Sequence, residues 1–305
     1  MKIKVMGGLG NQLFIAAFAL GMIYDRKSQP KFDVSAYPSS GDAFGRNLRI
    51  ESLAKRHNII FYKASLLERL IDKWSMILIR KFKILNTLFA LRYIEVRPDY
   101  DYSAMWRRRF VAKYIGYFQS EKYFYSNAGL VKDDLNYIIN NLNMNKGNCG
   151  SDFRPSFDQG LKDILAIHLR SYSKDSVSIE NVDLDYTYYK NSLMKVLGVN
   201  KDVNVIIVGN SIDDCNNLKF KLLVDFSHLD IVVSKSVSDV EDFVLLRDAN
   251  YLIMSNSTFS WWAGYLGAQK MVICPKIEIL KLPCWGFHGL YADKFNLESA
   301  TLRKI

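Results

Sequence analysis

Tyr251-Leu252-Ile253-Met254-Ser255-Asn256-Ser257-Thr258-Phe259-Ser260-Trp261-Trp262 is the stretch that decides the fold of this chain. Its first four residues form an apolar run of strand length, and residues 259–266 repeat apolar side chains at helical spacing. Four small polar residues lie between, marking a strand-to-helix turn. Such a turn gathers hydroxyls, an amide and the N–H groups of a helix's first turn around one point, where phosphate oxygens are favoured. The ordinary role of such a cluster is a helix cap. The double tryptophan adds to this: adjacent indoles leave a helix about 100° apart, so at least one is expected to pack beside the loop or against a ligand.

Outward from this turn, apolar runs at 164–169, 203–208, 230–233 and 271–274 alternate with helical patterns at 186–197, 213–222 and 240–247. This alternation predicts βαβ units and a parallel sheet whose ligands sit beyond the carboxyl ends of the strands. The amino half opens the same way. A strand at 3–6 leads into the turn Gly7-Gly8-Leu9-Gly10-Asn11 and then a helix over 12–24, apolar on almost every side and therefore buried. A second strand follows at 31–34, and the aromatic run Lys113 to Gln119 closes a helical, basic segment. The fold class is α/β. A chain of 305 residues suits two domains of about 150 each. The polar stretch 140–153, with five asparagines and two glycines, sets the boundary: 1–150 and 151–305.

Hydrophobic residues make up 49% and charged residues 24%, the profile of a soluble globular protein. A net charge of +10 favours polyanionic company: nucleic acid, an acidic membrane surface or phosphorylated substrates. Nucleic acid is set aside, because Arg107-Arg108-Arg109 stands without any RNA-binding motif. The four cysteines are far apart, with no CxxC, which argues for a reducing compartment and against zinc. The strand that begins at Ile3 leaves no room for a signal peptide, so a cytoplasmic protein is expected. No apolar stretch reaches the roughly 18 residues that span a bilayer. The nearest is 66–96. There Leu67, Leu70, Ile71, Trp74, Ile77, Leu78, Phe82 and Leu85 recur at helical spacing among Arg69, Lys73, Arg80, Lys81 and Lys83. Two readings stand: a helix lying on the anionic inner face of a membrane, or a helix packed on its own domain with solvated lysines.

The strand at 164–169 leads into Arg170, and period two puts His168 and Arg170 on one face at its carboxyl edge. A guanidinium there can grip a phosphate with two parallel bonds. Gly7-Gly8-Leu9-Gly10 resembles the start of a dinucleotide fingerprint with Asp33 downstream, but position 13 is Leu where a third glycine belongs. The triplets Asp99-Tyr100-Asp101 and Asp183-Leu184-Asp185 have the form of a metal-holding Asp-x-Asp, while Asp185 is also placed to cap the following helix.

Four segments, in order, resemble the bacterial α-1,2-fucosyltransferases of glycosyltransferase family 11. They are Gly7-Gly8-Leu9-Gly10-Asn11-Gln12-Leu13-Phe14, Gly116-Tyr117-Phe118-Gln119-Ser120-Glu121-Lys122-Tyr123-Phe124, His168-Leu169-Arg170, and Ser255-Asn256-Ser257-Thr258-Phe259-Ser260-Trp261-Trp262. The chain departs from the family's HxRRGDY, with Ser171, Tyr172 and Ser173 replacing the second Arg, the Gly and the Asp. It departs again at Gly209-Asn210-Ser211, where the family often has Ser-Asp-Asp. The resemblance implies a GT-B-like architecture, two Rossmann-type domains facing a cleft, the carboxyl-terminal one holding the nucleotide sugar and the other serving the acceptor. It implies transfer of L-fucose from GDP-fucose, with inversion and without a metal or other cofactor, to the 2-hydroxyl of a galactoside in a surface glycan, the acceptor being a lipid-linked oligosaccharide. Donor-sugar contacts are expected from Gly10, Asn11, Asn210, Ser255, Asn256, Ser257, Thr258 and Phe259, and catalytic roles from His168, Arg170 and, as general base, Asp175, with Glu180 as alternative. Two other functions stand beside it: transfer from another GDP-sugar, and a non-catalytic, membrane-associated glycan-binding protein.

Overall fold

A computed structural model describes residues 1–26, 29–38, 41–42, 45–81, 92–94, 113–144, 162–172, 183–236, 238–277 and 295–300. Two compact units result, Met1–Asn141 and Leu142–Ile305. The sequence placed the division at 150–151; contacts place it in the last turn of a helix that runs to Met144.

The first unit holds β1 (Lys2–Lys4), α1 (Leu9–Arg26), β2 (Lys31–Asp33), α2 (Leu53–His57), β3 (Ile60–Tyr62), α3 (Leu66–Lys81), β4 (Arg92–Ile94), β5 (Lys113–Ile115) and α4 (Ala128–Met144). Its sheet is parallel throughout, in the order β3-β2-β1-β5-β4. The second unit holds β6 (Asp163–Leu169), α5 (Tyr186–Val199), β7 (Val203–Gly209), α6 (Ile212–Asp225), β8 (Ile231–Val233), α7 (Asp239–Asp248), β9 (Tyr251–Ile253), α8 (Thr258–Leu266), β10 (Met271–Ile277) and β11 (Phe295–Ala300). Its sheet is also parallel, in the order β11-β10-β9-β6-β7-β8. Each unit is thus Rossmann-type, the two-domain make-up the sequence predicts.

Strands covered on both faces need continuous apolar runs, and β7 is buried from Val203 to Val208. Leu165, Ile167, Val205, Ile207, Tyr251, Ile253 and Ile273 form one layer of the second core, against Tyr188, Leu193 and Val196 of α5 and Leu218 and Leu222 of α6. In the first unit, Leu13 to Leu20 of α1 are without solvent contact, as an all-round apolar helix requires.

Two expectations fail here. Trp261 and Trp262 are both fully buried, with ring contacts to each other, Tyr265 and Phe295, so neither indole is held in reserve at the surface. Helix α8 is enclosed on several sides. Trp261 stacks on Tyr265 at 4.7 Å and meets Phe295 of β11 edge-on, while Trp262 meets Tyr265 edge-on at 5.5 Å. The second failure is α3, which does not pack by its apolar stripe. Among its described side chains Asp72 and Ser75 are buried, and Leu67, Leu70, Ile71, Trp74 and Ile77 are exposed. The reason lies beneath it. Lys113 of β5 is buried, and its ammonium pairs with Asp33 of β2 at 2.7 Å and with Glu68 and Asp72 of α3 at 2.9 and 2.5 Å. A buried ammonium must be matched by carboxylates, so the helix turns its acidic face inward. Phe82 and Leu85 of the same stretch lie outside the described residues.

The same network commits Asp33. It also accepts bonds from the Ser35 hydroxyl and from the Ala64 N–H at 3.2 Å, which leaves it no part in a dinucleotide fingerprint. Cys215 and Cys274 are buried free thiols, while Cys149 and Cys284 lie outside the described residues.

Candidate active site

Strand order locates the site before any side chain does. In the second unit the chain runs from β6 outward through β7 to β8, then crosses back to place β9 on the other side of β6. The topological switch point therefore lies between β6 and β9, where open α/β sheets bind ligands beyond their carboxyl ends. His168 sits near the end of β6 and Ser255 just beyond β9. Their side chains meet: Ser255 Oγ lies 2.7 Å from His168 Nδ1, and both residues are buried. Burial, with the Arg170 charge a lesser cause, pushes the His168 pKa down to about 3, so the imidazole is neutral at physiological pH. Its ring lies 5.5 Å from that of Phe259, at the start of α8.

Helix α8 begins at this point. Ser257 is its N-cap, accepting from Phe259 N at 3.3 Å, and the Ser260 hydroxyl donates to the carbonyls of Ser255 and Ser257. The turn is thus a cap, and it follows β9, the strand paired with the one that carries His168. Tyr188 of α5 fixes the approach to it, donating to the Met254 carbonyl at 2.7 Å.

Arg170 follows His168 by one period-two step, half-buried, with its guanidinium carbon 5.5 Å from the ring centre of Tyr172. Tyr172 stands where the family pattern has glycine. Its hydroxyl donates to the Asn256 carbonyl at 3.1 Å, and its N–H donates to Asp183 at 2.9 Å. Asn210, at the end of β7, bonds the Ser171 backbone twice: its amide N donates to the Ser171 carbonyl and its amide O accepts from the Ser171 N–H, both at 2.8 Å. β6 and β7 come close here because residue 209 is glycine; a Cβ there would lie 2.7 Å from the Leu169 carbonyl oxygen and 2.6 Å from Cys215 Sγ. Sequence reasoning missed Tyr172 and Asp183 as members of this edge. Only the departure from HxRRGDY marked the loop.

The Asp-x-Asp at 183–185 divides its labour. Asp183 holds Tyr172, and Asp185 caps α5 by accepting from Tyr188 N at 3.0 Å, the cap its position predicted. Among the described residues no three His, Cys, Asp or Glu side chains gather as metal ligands. Asp99 and Asp101, Asp175 and Glu180 lie outside the described residues, as does the Arg107–Arg109 run.

The first unit repeats the logic. β1 leads outward through β2 to β3, and β5 lies on the other side of β1, so its switch point falls between β1 and β5. The Gly7–Asn11 turn follows β1, and Tyr117–Gln119 follow β5. They are bonded, with the Gln119 amide donating to Asn11 Oδ1 at 2.9 Å. Gly7 has φ +88°, a conformation glycine adopts freely, and its carbonyl accepts from Tyr37 OH at 2.5 Å and Gln12 Nε2 at 3.0 Å. Phe118 has φ +52°, which few bulky residues tolerate, and it is held there by stacking on Phe18 at 4.0 Å. Helix α1 starts at Leu9 rather than at residue 12, which puts Gly10 and Asn11 in its first turn. The four resembling segments thus meet in pairs at the two switch points, one pair in each unit.

Comparison with known proteins gives the family. The family model of glycosyl transferase family 11 matches residues 1–279, and the chain belongs to that family; it is a glycosyltransferase. It is similar to an alpha-1,2-colitosyltransferase of Escherichia coli, 22% identical over 275 residues and 86% of either chain. Among solved structures it resembles the fucosyltransferase NodZ from Bradyrhizobium, with TM-score 0.48, 13% identity, and 87% of this chain and 93% of that one covered. It also resembles a mutant Arabidopsis thaliana FUT1 in complex with GDP, with TM-score 0.48, 12% identity, and 89% and 69% covered.

Proposed function

We propose that this glycosyltransferase moves L-fucose from GDP-fucose to the 2-hydroxyl of a galactoside in a lipid-linked surface glycan, inverting the anomeric centre without a metal. The observation that carries the reading is the His168–Ser255 bond across the switch point, with Arg170 one step beyond and the α8 N-terminus alongside. In this reaction the acceptor oxygen forms a bond to the anomeric carbon as the bond to the β-phosphate oxygen breaks, and the electron pair leaves with GDP. Arg170 and the α8 N–H groups meet the charge that develops there, the task a metal performs elsewhere. Ser255, Asn256, Ser257, Thr258 and Phe259 surround the pyrophosphate. Neutral His168 holds Ser255 in place. The contribution of Asn210 runs through Ser171, since both amide atoms are engaged on that backbone. Gly10 and Asn11, in the first turn of α1, belong to the donor-binding set. The acceptor proton passes to Asp175.

A second reading keeps the reaction and changes the sugar. Tyr172 replaces the family's glycine and bonds the Asn256 carbonyl, altering the wall of the donor-sugar turn. The sugar in the relative's name, colitose, lacks one hydroxyl of fucose, so GDP-colitose is the donor this change favours. Calorimetry with the two GDP-sugars and with GDP-mannose separates them.

Arg170→Ala is expected to lower kcat by about 10²–10³-fold with an unchanged melting temperature, and Arg170→Lys to restore little, because an ammonium lacks the fork of a guanidinium. Near-normal kcat/KM in Arg170→Ala would remove this residue from the mechanism and with it the central claim.

A further inference from the structure

We propose that the outward face of α3 is a docking surface for an anionic lipid membrane, whichever sugar the enzyme transfers. Helix α3 shows solvent the side it would ordinarily bury. Leu66, Leu67 and Trp74 are 67%, 68% and 62% exposed, and Leu70, Ile71 and Ile77 are 45%, 39% and 46% exposed. At about 100° per residue these six fall within one arc of roughly 140°, opposite Glu68, Asp72 and Ser75. The Lys113 network fixes that orientation, because turning the apolar arc inward would strand a buried ammonium. The apolar surface is therefore held outward by charges the fold cannot give up.

What covers it follows from the flank. Arg69 and Lys73 are exposed and lie together along one border of the arc, in a chain of net charge +10. A tryptophan and leucines bordered by cations match the acyl boundary and the anionic headgroups of a bilayer, with the indole at the interface. A second copy of the chain fits less well: a two-fold contact through this face sets Arg69 and Lys73 of one copy near those of the other. The 16 residues of α3 extend about 24 Å, lying in the membrane plane. No helix among the described residues is long and apolar enough to cross a membrane.

The full-length protein should be sedimented with vesicles of phosphatidylcholine alone and with vesicles that also contain phosphatidylglycerol. Binding to the anionic vesicles is expected, weakening by about tenfold or more on neutral ones or at high salt. Leu70→Glu/Trp74→Glu and Arg69→Glu/Lys73→Glu should each lose about tenfold or more of that binding while keeping the melting temperature and the activity on a soluble acceptor. Trp74→Phe should retain binding, as an aromatic of similar depth. Wild-type protein left in the supernatant of anionic vesicles would overturn the proposal, as would equal binding by both charge-altered variants. So would a lipid-free dimer in analytical ultracentrifugation that Leu70→Glu/Trp74→Glu disperses without affecting vesicle binding.

Discussion

Helices α3 and α8 both carry tryptophan within a run of large apolar residues, and the protein treats them in opposite ways. Helix α8 is buried through Ser260, Trp261, Trp262, Ala263, Gly264 and Tyr265; α3 exposes Leu67, Leu70, Trp74 and Ile77. The difference lies in the strands beneath. Under α8 the neighbours of Gly264 are Val272, Phe295 and Leu252, so apolar packing decides. Under α3 stand Lys113 and Lys2, and Glu68 and Asp72 on the acidic face of the helix answer them. Amphipathicity tells how a helix divides its faces. The partner sheet tells which face goes in.

The largest effect that tests this contrast is truncation of an indole in each helix. Trp262→Ala empties a filled, enclosed position and should cost about 3–5 kcal/mol in urea unfolding, whereas Trp74→Ala should stay within about 0.5 kcal/mol. Similar losses at the two positions would mean that α3 buries Trp74 and that the inversion is wrong.

Next in size is Lys113→Met, which leaves Asp33 and Asp72 buried without their cation. A loss of about 3 kcal/mol near neutral pH is expected. The pH dependence should also flatten. In the native protein the Lys113 ammonium and hydroxyl hydrogen bonds hold the Asp33 and Glu68 carboxyls below their usual range despite burial. The stability they contribute is present above the unfolded carboxylate pKa of about 4 and is lost as pH falls below it. Without Lys113, burial is opposed only by the Ser35 and Ala64 bonds at Asp33 and by Lys2 and Tyr62 at Glu68, so both pKa values should rise and the loss of stability in acid should shrink. A variant whose acid limb matches that of the wild type would show that the network does not set the orientation of α3.

These two helices also mark what the sequence could convey. Period and length predicted β6 to β10 of the second unit to within a few residues, because central parallel strands must be continuously apolar: β7 was expected at 203–208 and spans Val203–Gly209. Strands β3 and β4, three residues each, and β11, with its polar Asn296 and Glu298, carry too little periodicity to be read. Pairing was invisible too. The 255–258 turn and the His168–Arg170 step were both expected at the sheet's carboxyl edge, but the His168–Ser255 bond depends on β9 crossing back beside β6, which no local pattern encodes. The inward face of α3 was illegible for the same reason, since Lys113 lies 45 residues from Glu68 in the chain. Asp185 was read correctly as a cap because that interaction is local.

The smallest effect concerns the buried titratable group beside α8, whose environment is the reverse of that around Lys113. Partners raise the Lys113 pKa despite burial, whereas His168 is lowered to about 3, chiefly by burial and further by Arg170. A histidine with a folded pKa below its unfolded value of about 6.5 binds a proton more readily in the unfolded chain. Its effect is absent above that value, and stability falls as pH drops from about 6.5 toward the folded pKa. At pH 5 the loss attributable to His168 should be about 2 kcal/mol, from 1.4 kcal/mol per pH unit. Other groups titrate over the same interval, so the measurement is a difference: urea unfolding at pH 7.5 and pH 5.0 for the native protein and for His168→Asn, which removes the ionisable group and keeps an amide near Ser255. The native protein should lose about 2 kcal/mol more than the variant over that interval. An equal loss would mean that His168 is solvated enough to charge in the folded state, and that the His168–Ser255 contact is looser than the buried, neutral imidazole described here.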